Sequence, residues 1–382
     1  MANTSNKKNP IKISVILIIT ASFYALFSVS LYALSSVSPG LTDKIYTNNL
    51  FKAVNLPLKL IVSAFPFSVG EILLYVCIIG FIIYLLYSVI TAVSLFIKRQ
   101  NKKAFNKLIQ FVLILLSAAL LCVGNFIVLG GINYNGSDFA DKAGYTLRSY
   151  TTDELCRLCL YLGEEAGAAR NSVEKNSDNV TFYTGALDEL IEKSGSGYEV
   201  LCEKYSFLDG FYPEAKVVLS SEIMCYLQIT GIYPYLVPEA LVNKKTPASS
   251  LPMTICHEMA HQRGIAREDE ANYVAYLACI NSSDSLYIYS GYYSAFMYSM
   301  NQLYKYDIEK WKSVCAAVSP ELFADAQYEN SFWQEYEDTS PKAAKLSETV
   351  NDTYLKANDI EDGTHSYGRV VDLLLADFLS EN

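Results

Sequence analysis

The chain has three histidines, His257, His261 and His365, and two of them stand in the run His257-Glu258-Met259-Ala260-His261. On a helix, residues four apart share a face one turn apart, so two imidazoles at this spacing can converge on one metal ion. Glu258 projects beside the pair, where a carboxylate could take a proton from water. Two histidines and a glutamate in this H-E-x-x-H order are the zinc-and-base arrangement of hydrolytic metal sites. The plainer alternative is a pair of satisfied, partly buried histidines. In a chain that otherwise almost avoids histidine, the metal reading is the stronger.

A catalytic zinc needs a third protein ligand and one open position. Gly264 can end the motif helix in a left-handed conformation. A second helix is expected to begin near Ala266, carrying Glu268 and Asn272 on one face, four apart. Glu268 is the expected third ligand, and Asn272 is expected to support a ligand through a hydrogen bond. Glu270 competes: it lies two residues from Glu268, on the far side of a helix, and the choice between them depends on where the helix starts. Taken without the histidines, Arg267, Glu268 and Glu270 would be an ordinary charged helix start. An oxyanion partner is also wanted. Tyr367 and His365 are the candidates, while Arg369 reads as a salt-bridge residue.

The elements that hold these residues divide the chain by composition. Residues 1–133 carry eleven Lys or Arg against Asp43 and Glu71, whereas the remaining residues are net −19. A basic apolar front and an acidic back point to two environments, a membrane anchor over 1–133 and an extracytoplasmic domain over 134–382. The acidic part would repel phosphates, which argues against a nucleic-acid partner. Three uncharged stretches, about 13–34, 72–97 and 108–132, are each long enough to span a bilayer, which takes about 20 apolar residues. The first follows Lys7, Lys8 and Lys12, but it is longer than a signal-peptide core and reads as an uncleaved span. Lys98, Arg99, Lys102, Lys103 and Lys107 crowd the loop between the second and third spans. The N-terminus and that loop are therefore expected on the cytoplasmic side, with 134–382 outside. The connector from Ser35 to Glu71 either lies along the membrane surface or packs against the outer domain.

Seven cysteines fall in the outer domain, an odd count, and Cys156 and Cys159 sit three apart on a helical pattern. They read as small buried hydrophobes rather than disulfides. A helix is expected to start at Thr152 and another over 186–193, ended by Ser194-Gly195-Ser196-Gly197. Lys216 to Leu219 reads as a short strand. Gly231 to Asn243, with Pro234 and Pro238, reads as an edge strand or a loop beside one, and as such could pair with an extended substrate. Helical patterns follow at about 252–263, 267–281, 286–305, 319–328, 341–357 and 368–380. The tyrosines clustered at 285–306 are expected mainly to pack between helices. The expected fold is α+β and mostly helical, with a small sheet beside the motif helix.

HEMAH followed by Glu268-Asp269-Glu270-Ala271-Asn272 resembles the gluzincin pattern of thermolysin-like and CAAX-prenyl-protease-like enzymes. There a Glu, followed four residues later by Asp or Asn, completes the site. Only six residues separate His261 from Glu268, a short link that resembles the astacin-type H-E-x-x-H-x-x-G-x-x-H pattern instead. Where that pattern has its third His, this chain has Arg267, which cannot bind zinc. Over most of its length the chain resembles an uncharacterised bacterial membrane family, domain-of-unknown-function family 3810. That likeness rests on the three front-end spans, GGINY at 130–134, PEALVN at 238–243, HEMAHQRGIAREDEAN at 257–272 and SYGRVVDLLL at 366–375. These resemblances imply a zincin-like, membrane-anchored zinc metallopeptidase acting on a peptide or protein substrate. A catalytically silent zinc-binding sensor or peptide-binding protein is the alternative.

Overall fold

The structure, a computed structural model, describes residues 10–357 and 369–381. Three helices are long and apolar enough to cross a membrane: Ile11–Ser35, Val69–Ile97 and Asn101–Leu129. The third is central and packs along both of the others. Their apolar side chains point outward, Phe23, Ile83 and Ile90 among them, as lipid-facing residues do.

The connector between the first two spans is helical and packs against the acidic domain. Its main helix, Phe51–Ser63, is fastened by three polar side chains. Lys52 donates to the carbonyls of Phe207 and Asp209, Asn55 to Leu129, and Lys59 to Gln262. Burial pushes the Lys59 ammonium down to about 7, with Arg263 and Lys52 adding repulsion. Between about pH 7 and the ordinary lysine value of 10.5, the unfolded chain therefore holds a proton that the folded chain gives up. Stability should rise with pH across that window. Melting temperature in detergent is expected to climb from pH 7 to pH 9.5, and Lys59→Met should remove most of the climb. A wild-type profile as flat as the variant's would contradict the assignment.

The acidic domain is built on helices around one small sheet. Its core joins Thr152–Arg170, the motif helix Leu251–Gln262, the ligand helix Glu268–Ile280 and the long helix Ser285–Tyr306. Thr151 caps the first of these in a full capping box with Glu154. Tyr287, Tyr289 and Tyr293 are buried in the long helix, as the tyrosine clustering suggests. All nine cysteines are free.

Three helices depart from the sequence pattern. The helix Leu187–Glu192 ends before the Gly-Ser run, as the sequence suggests, but the run then opens another helix, Gly195–Lys204. A side chain at Gly197 would strike the carbonyl of Ala278 in the ligand helix, so the glycine permits that approach. An unexpected helix covers Ile308–Ala317, capped by Asp307, and the next runs on to Thr339.

The sheet has the order β1-β3-β2, with β1 at Lys216–Val217, β2 at Gly231–Ile232 and β3 at Leu241–Val242. β1 runs parallel to β3 and β2 antiparallel to it. The segment 231–243 is thus a hairpin, with its first strand at an edge and its second in the middle. Two carboxylates bind this sheet to the second span. Glu239 accepts from the amides of Val69 and Gly70 at 3.1 and 2.7 Å and pairs with Lys216. Glu71 accepts in return from the amides of Leu219 and Ser220. The first exchange satisfies helix N–H groups that would otherwise lack partners, with the charge sign the helix dipole favours.

Candidate metal centre

The motif helix begins with Pro252 in its first turn, where a missing N–H costs nothing. It is buried on nearly every face, and Met253 N–H is held by Ser290 Oγ of the long helix. Its end is set by Gly264, whose φ of +90° suits only glycine, and by Ile265 N–H returning to Ala260. Arg267 is extended, and the ligand helix starts at Glu268. That start fixes the helical phase. Glu268 turns back toward the motif helix, and Glu270 turns away.

The distances follow from this. His257 Nε2 and His261 Nε2 lie 3.1 Å apart. Glu268 Oε2 is 3.1 Å from His257 Nε2, and its Oε1 is 3.5 Å from His261 Nε2. Donor atoms at about 2.0–2.1 Å from a tetrahedral zinc stand about 3.3 Å from one another. These separations bracket that value, although the two glutamate distances are to different oxygens, so two imidazoles and the Glu268 carboxylate suit a zinc ion in size and donor type. His261 Nδ1–H donates to the Ile265 carbonyl at 2.7 Å, which leaves the Nε2 lone pair free for a metal. His257 Nδ1 is buried with no partner among the described residues. The side chains of His257 and Glu268 keep 15% and 18% of their surface, so one side of the cluster opens outward.

The electrostatics match a cation site. Burial alone would push His261 down, but Glu268 overrides it and holds the imidazole up at about 9. For Glu268, burial opposes the charge, and the two histidines hold it well below the usual carboxylate range. In the metal-free protein a proton thus sits where positive charge is wanted. Glu258 behaves oppositely. Burial raises it to about 7, only partly opposed by His257 and His261.

Glu270 accepts from Phe139 N–H at 2.8 Å and pairs with Arg267, so the structure gives it a bracing role. Asn272 is buried, and its Oδ1 accepts from Tyr298 rather than contacting a histidine or Glu268. Arg369 pairs with Asp269, as the sequence suggests, and ties the helix Arg369–Glu381 to the ligand helix. Tyr367 and His365 lie outside the described residues.

Sequence reasoning did not single out Gly231. A Cβ there would come within 2.6 Å of Glu258 Oε1. β2 thus passes against the carboxylate, and any side chain would displace it. If the cluster supports hydrolysis, Gly231→Ala should lower its rate by about 10²-fold, the usual loss for a misplaced group, and leave the three candidate ligand atoms in place. Parallel metal-uptake and hydrolysis assays of wild type and variant check this, and equal rates would contradict it.

Two clefts of about 480 and 420 Å³ lie elsewhere and are not lined by the cluster. A family model described as protein of unknown function (DUF3810) matches residues 46–375. No curated protein and no solved structure matches the chain.

Proposed function

Since the chain belongs to the DUF3810 family, whose function is unknown, its chemistry has to be read from its own residues, and we propose that it is a membrane-anchored, zinc-dependent metallopeptidase. The observation that carries this reading is the convergence of His257, His261 and Glu268, each offering one ligand atom, all within 4.8 Å of one another. Glu258 beside them completes the set a hydrolase needs, and the zincin-like likeness of the HEMAH helix agrees with it.

Zinc held there would supply a Lewis acid able to lower the pKa of water to about 7. His257 and His261 would hold the ion from one helix, and Glu268 would complete the triad from the next. Glu258 takes the proton from the attacking water and hands it to the leaving amine. Its buried, raised carboxyl is suited to carry that proton between the two steps. β2 has a free edge beside Glu258, and an extended peptide could pair with it backbone to backbone. Asn272 serves by steadying the ligand helix through Tyr298. Tyr367 is retained as the proposed oxyanion donor.

The three helices long and apolar enough to cross a membrane support a lipid bilayer as its setting. By the distribution of Lys and Arg it crosses several times, with the domain on the outer face. Stripping the purified full chain with a chelator should abolish cleavage of a peptide library, and zinc should restore it. Cleavage that persists in the stripped protein would sink the proposal.

A further inference from the structure

The hairpin that carries Gly231 reaches from the candidate site to the membrane helices. Tyr235 rests on the last turn of the third span, its ring 5.5 Å from that of Phe126. The contact is so close that a side chain at Gly130 would fall inside the Tyr235 ring. On the other side, Val237 lies 3.5 Å from where a Gly70 side chain would start, at the first turn of the second span. Glu239 and Glu71 fasten the same corner. Only three residues separate Gly231, against Glu258, from Tyr235, against the third span, a distance of four residue steps. An extended chain covers at most about 14 Å in four residues.

The surface around this corner is apolar. Leu219 is 74% exposed although its N–H is bonded to Glu71 in the first turn of the second span. Ile223, Leu236 and Phe67 are also exposed beside it. A patch of this kind is unfavourable in water. It is continuous with the lipid-facing surface of the spans, so the occupant that covers it is the headgroup and acyl boundary of the bilayer itself.

We infer that the site works at the bilayer surface, on peptide bonds in segments that adjoin a membrane anchor. This rests on the metallopeptidase reading and narrows its substrate class. A soluble peptide would have to approach an edge strand that the bilayer half covers. A polypeptide already held in the membrane would present its first extended residues at that height.

The test uses the full chain in lipid nanodiscs and has two arms. In the first, Leu236→Trp and Leu219→Trp are each measured with lipids brominated near the carbonyl end of the acyl chains. The signal of the native Trp311 and Trp333 is subtracted using the parent protein. More than half of the added emission is expected to be quenched in both variants. In the second, a fluorogenic peptide pool is supplied with and without a palmitoyl chain, and the anchored pool should be cleaved at least tenfold faster. Unquenched tryptophans overturn the inference whether or not the protein hydrolyses anything. Equal rates for the two pools overturn the substrate class alone and leave the peptidase standing. Quenching without cleavage of either pool removes the peptidase reading, and the substrate class with it.

Discussion

Glu258→Gln should lose hydrolysis by about 10²–10⁴-fold, the range for removing a positioned general base, while still binding one zinc per chain. The argument turns on what each carboxylate is for. Glu258 is 4% exposed and stands beside the His-His-Glu cluster without belonging to it. Glutamine keeps its shape and removes only its capacity to accept and return a proton. Burial holds the Glu258 carboxyl at about 7, so its ionisation is a cost to the fold, not a support. The variant should therefore melt no lower than the wild type. Lost activity with intact metal content and undiminished stability is the signature of a base. Lost activity with a fallen melting temperature would mark Glu258 as structural, and unchanged activity would remove it from the mechanism.

Asp325→Ala should cost about 3–5 kcal/mol, the loss expected when one partner of a buried ion pair is deleted. In a domain of this size that lowers the melting temperature by on the order of 10 °C. Asp325 is fully buried and pairs with Arg170 Nε at 2.9 Å, which is itself only 5% exposed at its side chain. It also accepts from Thr181 N–H and Oγ1–H, each at 2.7 Å, and from Tyr289. Burial works against its charge, but these donors outweigh it and hold the carboxyl below the ordinary aspartate range. The stability it contributes is therefore present above that range and is lost as pH falls through the depressed value. Removing it strands a guanidinium in the core. Replacing both partners with apolar residues, as in Arg170→Met with Asp325→Leu, should recover only the part due to the stranded guanidinium, because the Thr181 and Tyr289 donors stay unpaired. Denaturant melts of the single and double variants decide this. A single variant within about 1 kcal/mol of wild type would show that the pair is not a structural keystone. The consequence reaches the site, because Tyr289 neighbours Ser290, which anchors the motif helix through Met253.

Much of this was legible in the sequence, for reasons that can be named. The three long apolar helices announce themselves because each contains an uncharged run of about 20 residues or more, the length needed to cross a bilayer. His257 and His261 were legible because i, i+4 spacing has one geometric meaning on a helix. Glu268 could be preferred to Glu270 because the two differ by a helical half-turn, and Arg267 then supplies the extended residue that fixes the phase. What stayed hidden is tertiary. Gly231 is distant in sequence from Glu258, and nothing local says that β2 will pass beneath it. Glu239 reads as an unremarkable acid in PEALVN, yet it is buried and caps the second span. The helix Gly195–Lys204 contradicts its own propensities because the ligand helix needs a neighbour with no side chain at Gly197. Asn272 shares a helix with Glu268, but its bond goes to Tyr298, which sequence spacing does not reveal.

These hidden contacts also change how the two halves of the chain relate. Composition divides it sharply near Asn133, whereas the structure ties Lys59 to the end of the motif helix and Glu239 to the second span. The apolar front is therefore more than a tether. It contributes directly to the framework around the helix that carries His257 and His261.

The most direct test of the account is X-ray absorption at the zinc edge on the purified full chain, alongside metal analysis of wild type, His261→Ala and Glu268→Ala. The account predicts one zinc per wild-type chain, bound by two imidazole nitrogens and oxygen donors at about 2.0–2.1 Å, with occupancy collapsing in both variants. Wild-type protein that takes up no zinc, or a zinc with sulfur neighbours, or full occupancy without His261 and Glu268, would contradict it.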